Sequence, residues 1–235
     1  DSALEKVKQL TGYTFTNIQS GYRNTGLVAQ DVQKVLPEAV YTEGKYLGLA
    51  YGNLMGLIVE AIKDLSLYFV SEETQVVDLG CSTGKLLESL PHKGRKIGID
   101  VSDNLLPIAH DETAYIRKDI RAFSSFGKSS MILSLFTLQF IPYEDRPNIL
   151  KVIYDSLQEG GAFIWAEKVQ QETGELERII NGAHYDFKRK TFTAEEILNK
   201  ERDIRSMMRV NTSSKNQALA EDAGFAHGTI DRKST

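Results

Sequence analysis

Apolar positions along the chain follow two different rhythms. From Thr74 onward short apolar runs at 75–79, 96–100, 114–117, 130–135 and 162–167 alternate with helical patterns at 83–90, 103–110 and 144–158. That alternation predicts an α/β fold, a Rossmann-like mainly parallel sheet with helices on both faces. The first 46 residues instead mix a short amphipathic helix, Ala3 to Leu10, with β-like runs such as Tyr13 to Thr16, punctuated by Gly12, Gly21, Gly26 and Gly44. A small α+β module is expected there. Val28, Val32, Val35 and Leu36 fall at helical spacing, and Pro37 ends the pattern. The stretch from Leu47 to Ile62 reads as one core-facing helix, about one turn too short for a membrane span and interrupted by Asn53 and Glu60. Leu54, Leu57, Ile58, Ala61, Ile62 and Leu65 form its apolar stripe. The expected domains are therefore 1–65 and 71–235.

Composition narrows the class. In 235 residues, 41% hydrophobic content supplies a core for one large α/β domain with a small partner. A formal net charge of −4 argues against a general polyanion binder. Cys81 is the single cysteine, so no intrachain disulfide forms and no multi-thiolate zinc site is expected. No export signal is visible at the N-terminus. A folded protein of the cytoplasm follows, in the host cytoplasm or on the virion if a phage encodes it.

The chemistry centres on Val76-Val77-Asp78-Leu79-Gly80-Cys81-Ser82-Thr83-Gly84, a strand running into a glycine turn and then a helix. Gly80 and Gly84 admit close backbone approach to a ligand, and Asp78 can orient the turn or accept from a ligand ammonium. Asp100 ends the next strand, about 20 residues on, the spacing at which a carboxylate accepts from both ribose hydroxyls. The layout lacks the G-x-G-x-x-G of a pyrophosphate cradle, so a nucleoside without phosphates fits better than NAD. Asp119 and Ile120 follow the third strand, suited to an adenine amino group and the flat face of its ring. Together these residues resemble the class I methyltransferases that bind S-adenosylmethionine (SAM). No metal site and no catalytic side chain is assigned.

Two closer resemblances are carried by longer motifs. Ala3 to Val7, Gly26 to Val32, Leu36 to Val40, Tyr51 to Leu54 and Glu60 to Leu65 resemble the intramolecular chaperone of phage tail fibres and tailspikes. In that family a serine ahead of this stretch cuts the chaperone away. Ser2 lies at the wrong place for that role and reads as a helix N-cap ahead of Glu5. Phe136 to Pro142, Glu144-Asp145-Arg146, Leu157 to Gly161, Glu167-Lys168 and His184 to Arg189 resemble carboxy-SAM synthases, over about residues 71 to 227. The resemblance implies that SAM and prephenate are converted to carboxy-SAM for wobble-uridine modification in tRNA. It implies SAM contacts at Gly80, Cys81, Ser82, Asp100, Val101, Asp119 and Ile120. It also implies a small carboxylate partner, no membrane, no direct need for nucleic acid, and a homo-oligomer.

The chain departs from that family in places. Leu135 replaces a ligand-contacting asparagine, at a cost of about 1 kcal/mol. Glu201 replaces the carboxylate-gripping arginine, which leaves Arg202 as the substrate-binding candidate if the helix register adjusts. The last strand pair of the fold is expected to be largely missing after Gly224. Tyr51-Gly52-Asn53 resembles a family Tyr-Ser-Asn, and Tyr51 reads either as core or as part of the cofactor pocket. His184 beside Asp186 has two readings, a general base or a helix residue over the pocket. The basic residues Lys188, Arg189, Lys190, Lys200, Arg202, Arg205 and Arg209 read as an anion-attracting surface or a solvated helix face. Against the enzyme stands a second reading, a tail fibre assembly chaperone carrying a catalytically inactive SAM-type domain.

Overall fold

The computed structural model describes residues 2–16, 23–91, 93–102, 104–107, 113–170 and 173–225. The chain divides into two compact units near residue 74.

The first unit holds α1 (Ala3–Lys8), the antiparallel hairpin β1 (Gly12–Thr16) and β2 (Arg23–Leu27), α2 (Ala29–Val35), the hairpin β3 (Val40–Glu43) and β4 (Tyr46–Leu49), and α3 (Tyr51–Phe69). Ser2 caps α1 as the sequence suggests, its Oγ accepting the Glu5 N–H at 3.3 Å. Asp64 of α3 accepts a second orphan N–H of the same helix, that of Leu4, at 3.0 Å. Val32, Ala39 and Leu54 form the buried centre, with Leu27, Leu36 and Leu49 packed around it.

The apolar stretch from Leu47 is not one helix. Residues 46–49 pair with 40–43 as a strand, and the helix starts only at Tyr51. The Ala50 N–H donates to the Ala39 carbonyl at 2.8 Å and the Asn53 side chain to the Glu38 carbonyl at 2.7 Å, so the chain turns there. Hydropathy alone does not separate an apolar strand from the apolar helix that follows it. Along α3, Leu54, Leu57, Ala61 and Ile62 are buried as expected, whereas Ile58 is exposed.

The second unit is built on five parallel strands: β5 (Gln75–Leu79), β6 (Arg95–Asp100), β7 (Thr113–Arg117), β8 (Ser129–Leu135) and β9 (Leu157–Ala166), in the order β7-β6-β5-β8-β9. Central β5 is buried at every position, the pattern of a strand covered on both faces. Helices α4 (Lys85–Ser89), α5 (Arg146–Ser156), α6 (Gly174–Lys188), α7 (Ala194–Arg205) and α8 (Ser213–Ala223) complete it. Val77, Leu79, Ile97, Ile99 and Ile132 meet Ile149, Leu150 and Ile153 of α5 in the main core, with Ala223 at the end of α8. α5 spans Arg146–Ser156 rather than 144–158, because Pro147 fixes its first turn and Leu157 already opens β9.

The helix expected at 103–110 lies partly outside the described residues, and 104–107 are turn and irregular chain. The chain end where a last strand pair is expected to be missing, from residue 226, also lies outside them.

Candidate functional site

Strand order reverses between β5 and β8, and in such sheets the crevice at the carboxyl ends of the strands on either side is where ligands bind. Among the described residues, two other than glycine take a left-handed backbone, Ser82 with φ 50° and Phe136 with φ 59°, just beyond the ends of β5 and β8. Strain of this kind collects at functional sites.

The turn after β5 is laced onto the end of β6. Gly80 and Cys81 N–H groups donate to the Ile99 carbonyl at 2.7 and 3.2 Å, and the Ser82 N–H donates to Asp100 Oδ2 at 2.9 Å. The other oxygen of Asp100 accepts the Ser102 N–H at 2.8 Å. Each carboxylate oxygen therefore keeps a lone pair, and two vicinal hydroxyls supply the matching donors. Val101 next to it is 67% exposed, an apolar side chain held in solvent at the strand end.

Gly80 and Gly84 have φ of 78° and 70°, which alone favours glycine. The structure gives a second reason, different from ligand approach. A Cβ on Gly80 would come 2.0 Å from Thr137 Oγ1, and one on Gly84 would come 2.3 Å from the Tyr115 hydroxyl. Tyr115 crosses Gly98, its register partner on β6, and supports the turn from below. Sequence reasoning missed Tyr115 and marked Thr137 only as part of a family motif; the signal for Tyr115 was Gly98 inside a strand, a mark of close approach.

Asp78 is buried at the end of β5, where burial and then the Asp100 charge push its carboxyl up to about 7. Cys81 is buried too, and burial with the Asp78 and Asp100 charges pushes its thiol up to about 12, so it stays protonated and unreactive at neutral pH.

The Asp78 shift has a consequence for stability. Between its ordinary 3.8 and about 7, the folded chain holds a proton that the unfolded chain releases. Stability is thus full below the lower value, falls as pH rises through the window and levels off above about 7. The loss is on the order of 4 kcal/mol. Asp78→Asn is expected to flatten the decline in urea midpoint between roughly pH 4 and 7. A decline as steep as in the parent chain would place its origin elsewhere.

Asp119 sits in the loop after β7, N-capping a short 3-10 turn, with Ile120 buried in the main core behind it. The Arg121 guanidinium beside Asp119 holds its carboxyl below the usual range. Of the other candidates, Arg202 is exposed on α7 and reaches Asn199 Oδ1 one turn back at 3.5 Å. Glu201 accepts the Tyr185 hydroxyl of α6 and lies 3.6 Å from Arg205 Nη2. His184 is exposed on α6, its pKa lowered by partial desolvation and then by Lys188 and Lys168. The Tyr51 side chain lies outside those described. The structure thus gathers Asp78, Gly80, Cys81, Ser82, Gly84, Asp100 and Val101 at adjoining strand ends, places Asp119 and Ile120 after β7, and leaves Arg202 on a helix surface.

The motif residues Gln139, Arg146 and Glu167 build something else, an anchor. Fully buried Arg146 donates from Nε to the Ile141 carbonyl at 3.1 Å and from Nη2 to the Arg209 carbonyl, and its Nη1 is 3.7 Å from Glu167 Oε1. Glu167 also accepts Trp165 Nε1 at 3.1 Å and Asn216 Nδ2 at 2.6 Å. Gln139 takes the Lys168 N–H on its side chain and the Arg209 N–H on its carbonyl. The segment between α7 and α8 is thereby fastened to the ends of β8 and β9.

The parallel sheet and its strand-end carboxylates define a methyltransferase-type domain, and residues 76–161 match the methyltransferase domain family. Residues 1–41 match the chaperone of endosialidase family. Carboxy-S-adenosyl-L-methionine synthase of Staphylococcus epidermidis is 37% identical over 178 residues, covering 72% of this chain and 78% of that protein. Its counterpart in Shewanella denitrificans is 30% identical over 188 residues, covering 74% and 77%. Among solved structures, a cyclopropane synthase of Mycobacterium tuberculosis shares the fold, with a TM-score of 0.51 at 10% identity, over 72% of this chain and 61% of that one. The chain belongs to the carboxy-S-adenosyl-L-methionine synthase family. It is a SAM-dependent transferase with a chaperone-type segment ahead of its catalytic fold, and SAM is its cofactor. Among the described residues no helix is long and apolar enough to cross a membrane.

Proposed function

We propose that the chain makes carboxy-SAM from SAM and a small carboxylate of the prephenate type, in the cytoplasm and as a homo-oligomer. The observation that carries this reading is the Asp100 carboxylate, fixed by Ser82 and Ser102 with an acceptor site open on each oxygen. It stands in a chain 37% identical to a carboxy-SAM synthase. Bound SAM would supply a sulfonium whose positive charge acidifies the adjoining methyl group, the carbon that loses a proton and takes up the carboxyl group. Asp100 holds the ribose hydroxyls, the Gly80–Gly84 turn and Val101 flank the nucleoside, and Asp119 with Ile120 meets the adenine. Arg202 is the group proposed to grip the substrate carboxylate. The product is expected to serve tRNA modification, and a phage tail fibre origin is proposed for the first segment. The reading as an assembly chaperone with an inactive domain is the less favoured, because the likeness to synthases spans most of the domain.

Mass spectrometry of a reaction with SAM and prephenate tests the proposal. Carboxy-SAM is the expected product, and Arg202→Ala is expected to raise KM for prephenate roughly tenfold or more with SAM affinity unchanged. SAM binding without any carboxy-SAM would overturn the proposed reaction. A product formed equally well by Arg202→Ala would remove that residue from the site.

A further inference from the structure

Asp119 does not stand alone. The Arg121 backbone N–H donates to its Oδ1 at 2.9 Å, Nε is shared between Oδ1 and Oδ2 at 3.1 and 3.0 Å, and Nη2 donates to Oδ2 at 2.6 Å. The far side of the guanidinium is fixed as well, with Nη1 donating to Asp145 Oδ2 at 3.2 Å just ahead of α5. A carboxylate offers about four lone-pair sites. Three N–H groups of one residue, one of them shared between both oxygens, take up about three of them and leave acceptor capacity for about one further donor.

We propose that Arg121 determines base selectivity, by presenting Asp119 as a single fixed acceptor that takes a 6-amino purine and rejects a 6-oxo purine. The proposal rests on the reading of this site as a SAM pocket with adenine at Asp119. A 6-amino group brings an N–H donor to the remaining lone pair. A 6-oxo group brings only lone pairs against an ionised carboxylate, and Arg121 keeps that carboxylate ionised. A site that hydrogen-bonds one group discriminates strongly against an analogue that leaves its polar atoms unpaired. A carboxylate without the clamp rotates, takes water, and presents no fixed acceptor. Arg121 therefore acts through Asp119 as a positioning residue. Lysine at this position would keep the charge but lose the planar fork.

The test is calorimetric titration of the full chain with S-adenosylhomocysteine and S-inosylhomocysteine. The parent chain is expected to prefer the adenosyl compound by roughly tenfold or more. Arg121→Ala is expected to remove most of that preference, and Arg121→Lys to restore part of it. If Asp119→Asn lowers the preference while Arg121→Ala keeps it, the Arg121 assignment is overturned and the pocket stands. If Arg121→Ala weakens both ligands equally, Arg121 serves the fold alone and the proposal is likewise overturned. If Asp119→Asn leaves the preference intact, adenine does not lie at Asp119 and the pocket reading fails along with the proposal.

Discussion

Replacing Asp100 by alanine is expected to lower S-adenosylhomocysteine affinity by roughly 30- to 1,000-fold. Each hydrogen bond to a charged group contributes about 1.5–3 kcal/mol, and two on one carboxylate add incompletely, so a loss of about 2–4 kcal/mol follows. Asp100 also holds the turn itself, since the Ser82 and Ser102 N–H groups both end on it. Asp100→Asn is expected to bind nearly as poorly as Asp100→Ala. An amide keeps one acceptor but turns its NH2 toward one of those two N–H groups, donor against donor. Calorimetry with the full chain measures both. Affinity unchanged in Asp100→Ala would remove the ribose from the end of β6.

The part of the fold that was legible is the part where one physical signal acts alone. β5 stands out because Val76, Val77 and Leu79 make a run that only a doubly covered strand explains, and all three are fully buried. Asp78 and Asp100 were legible as site residues because acids ending such runs are out of place in a core. The hairpin of β3 and β4 was not, because the run of β4 joins that of α3 at Ala50 and the break comes from hydrogen bonds to residues 38 and 39.

The supports of the site were hidden for a related reason. Tyr115 and Thr137 matter through what they touch on neighbouring loops, Gly84 and Gly80, which are 31 and 57 positions away along the chain. Arg121 reads as an ordinary surface cation in sequence, and only the fork on Asp119 with the tie to Asp145 gives it a role. Arg146 and Glu167 were marked by family resemblance without any chemistry attached. Their meaning is the burial of a charged pair, 21 residues apart, between α5 and the end of β9.

That pair carries the other large expected effect. Arg146→Ala would leave Glu167, whose side chain is 3% exposed, without its counter-charge in a site that already raises its pKa through burial. Removing one member of a buried ion pair costs about 3–5 kcal/mol. For a chain of this size that is a fall in Tm of roughly 6–20 °C. It would also free the Arg209 carbonyl, which Arg146 holds, and so loosen the segment that joins α7 to α8. Glu167→Ala is expected to cost a similar amount, because the Arg146 guanidinium keeps its two carbonyl partners but loses the carboxylate beside Nη1. The double variant Arg146→Met with Glu167→Leu buries no charge. It is expected to unfold at a higher temperature than either single variant, since desolvation of two ions offsets most of what their attraction returns. Thermal unfolding of the full chain decides whether the two side chains act as a pair or separately. If the double variant falls by the sum of the two alanine variants although its volume is largely kept, the hydrogen bonds of each side chain count separately and the two are not coupled as a pair. If it recovers, the ion pair is a lock whose halves are costly only when separated, which fits its position where the start of α5, the end of β9 and the segment between α7 and α8 meet.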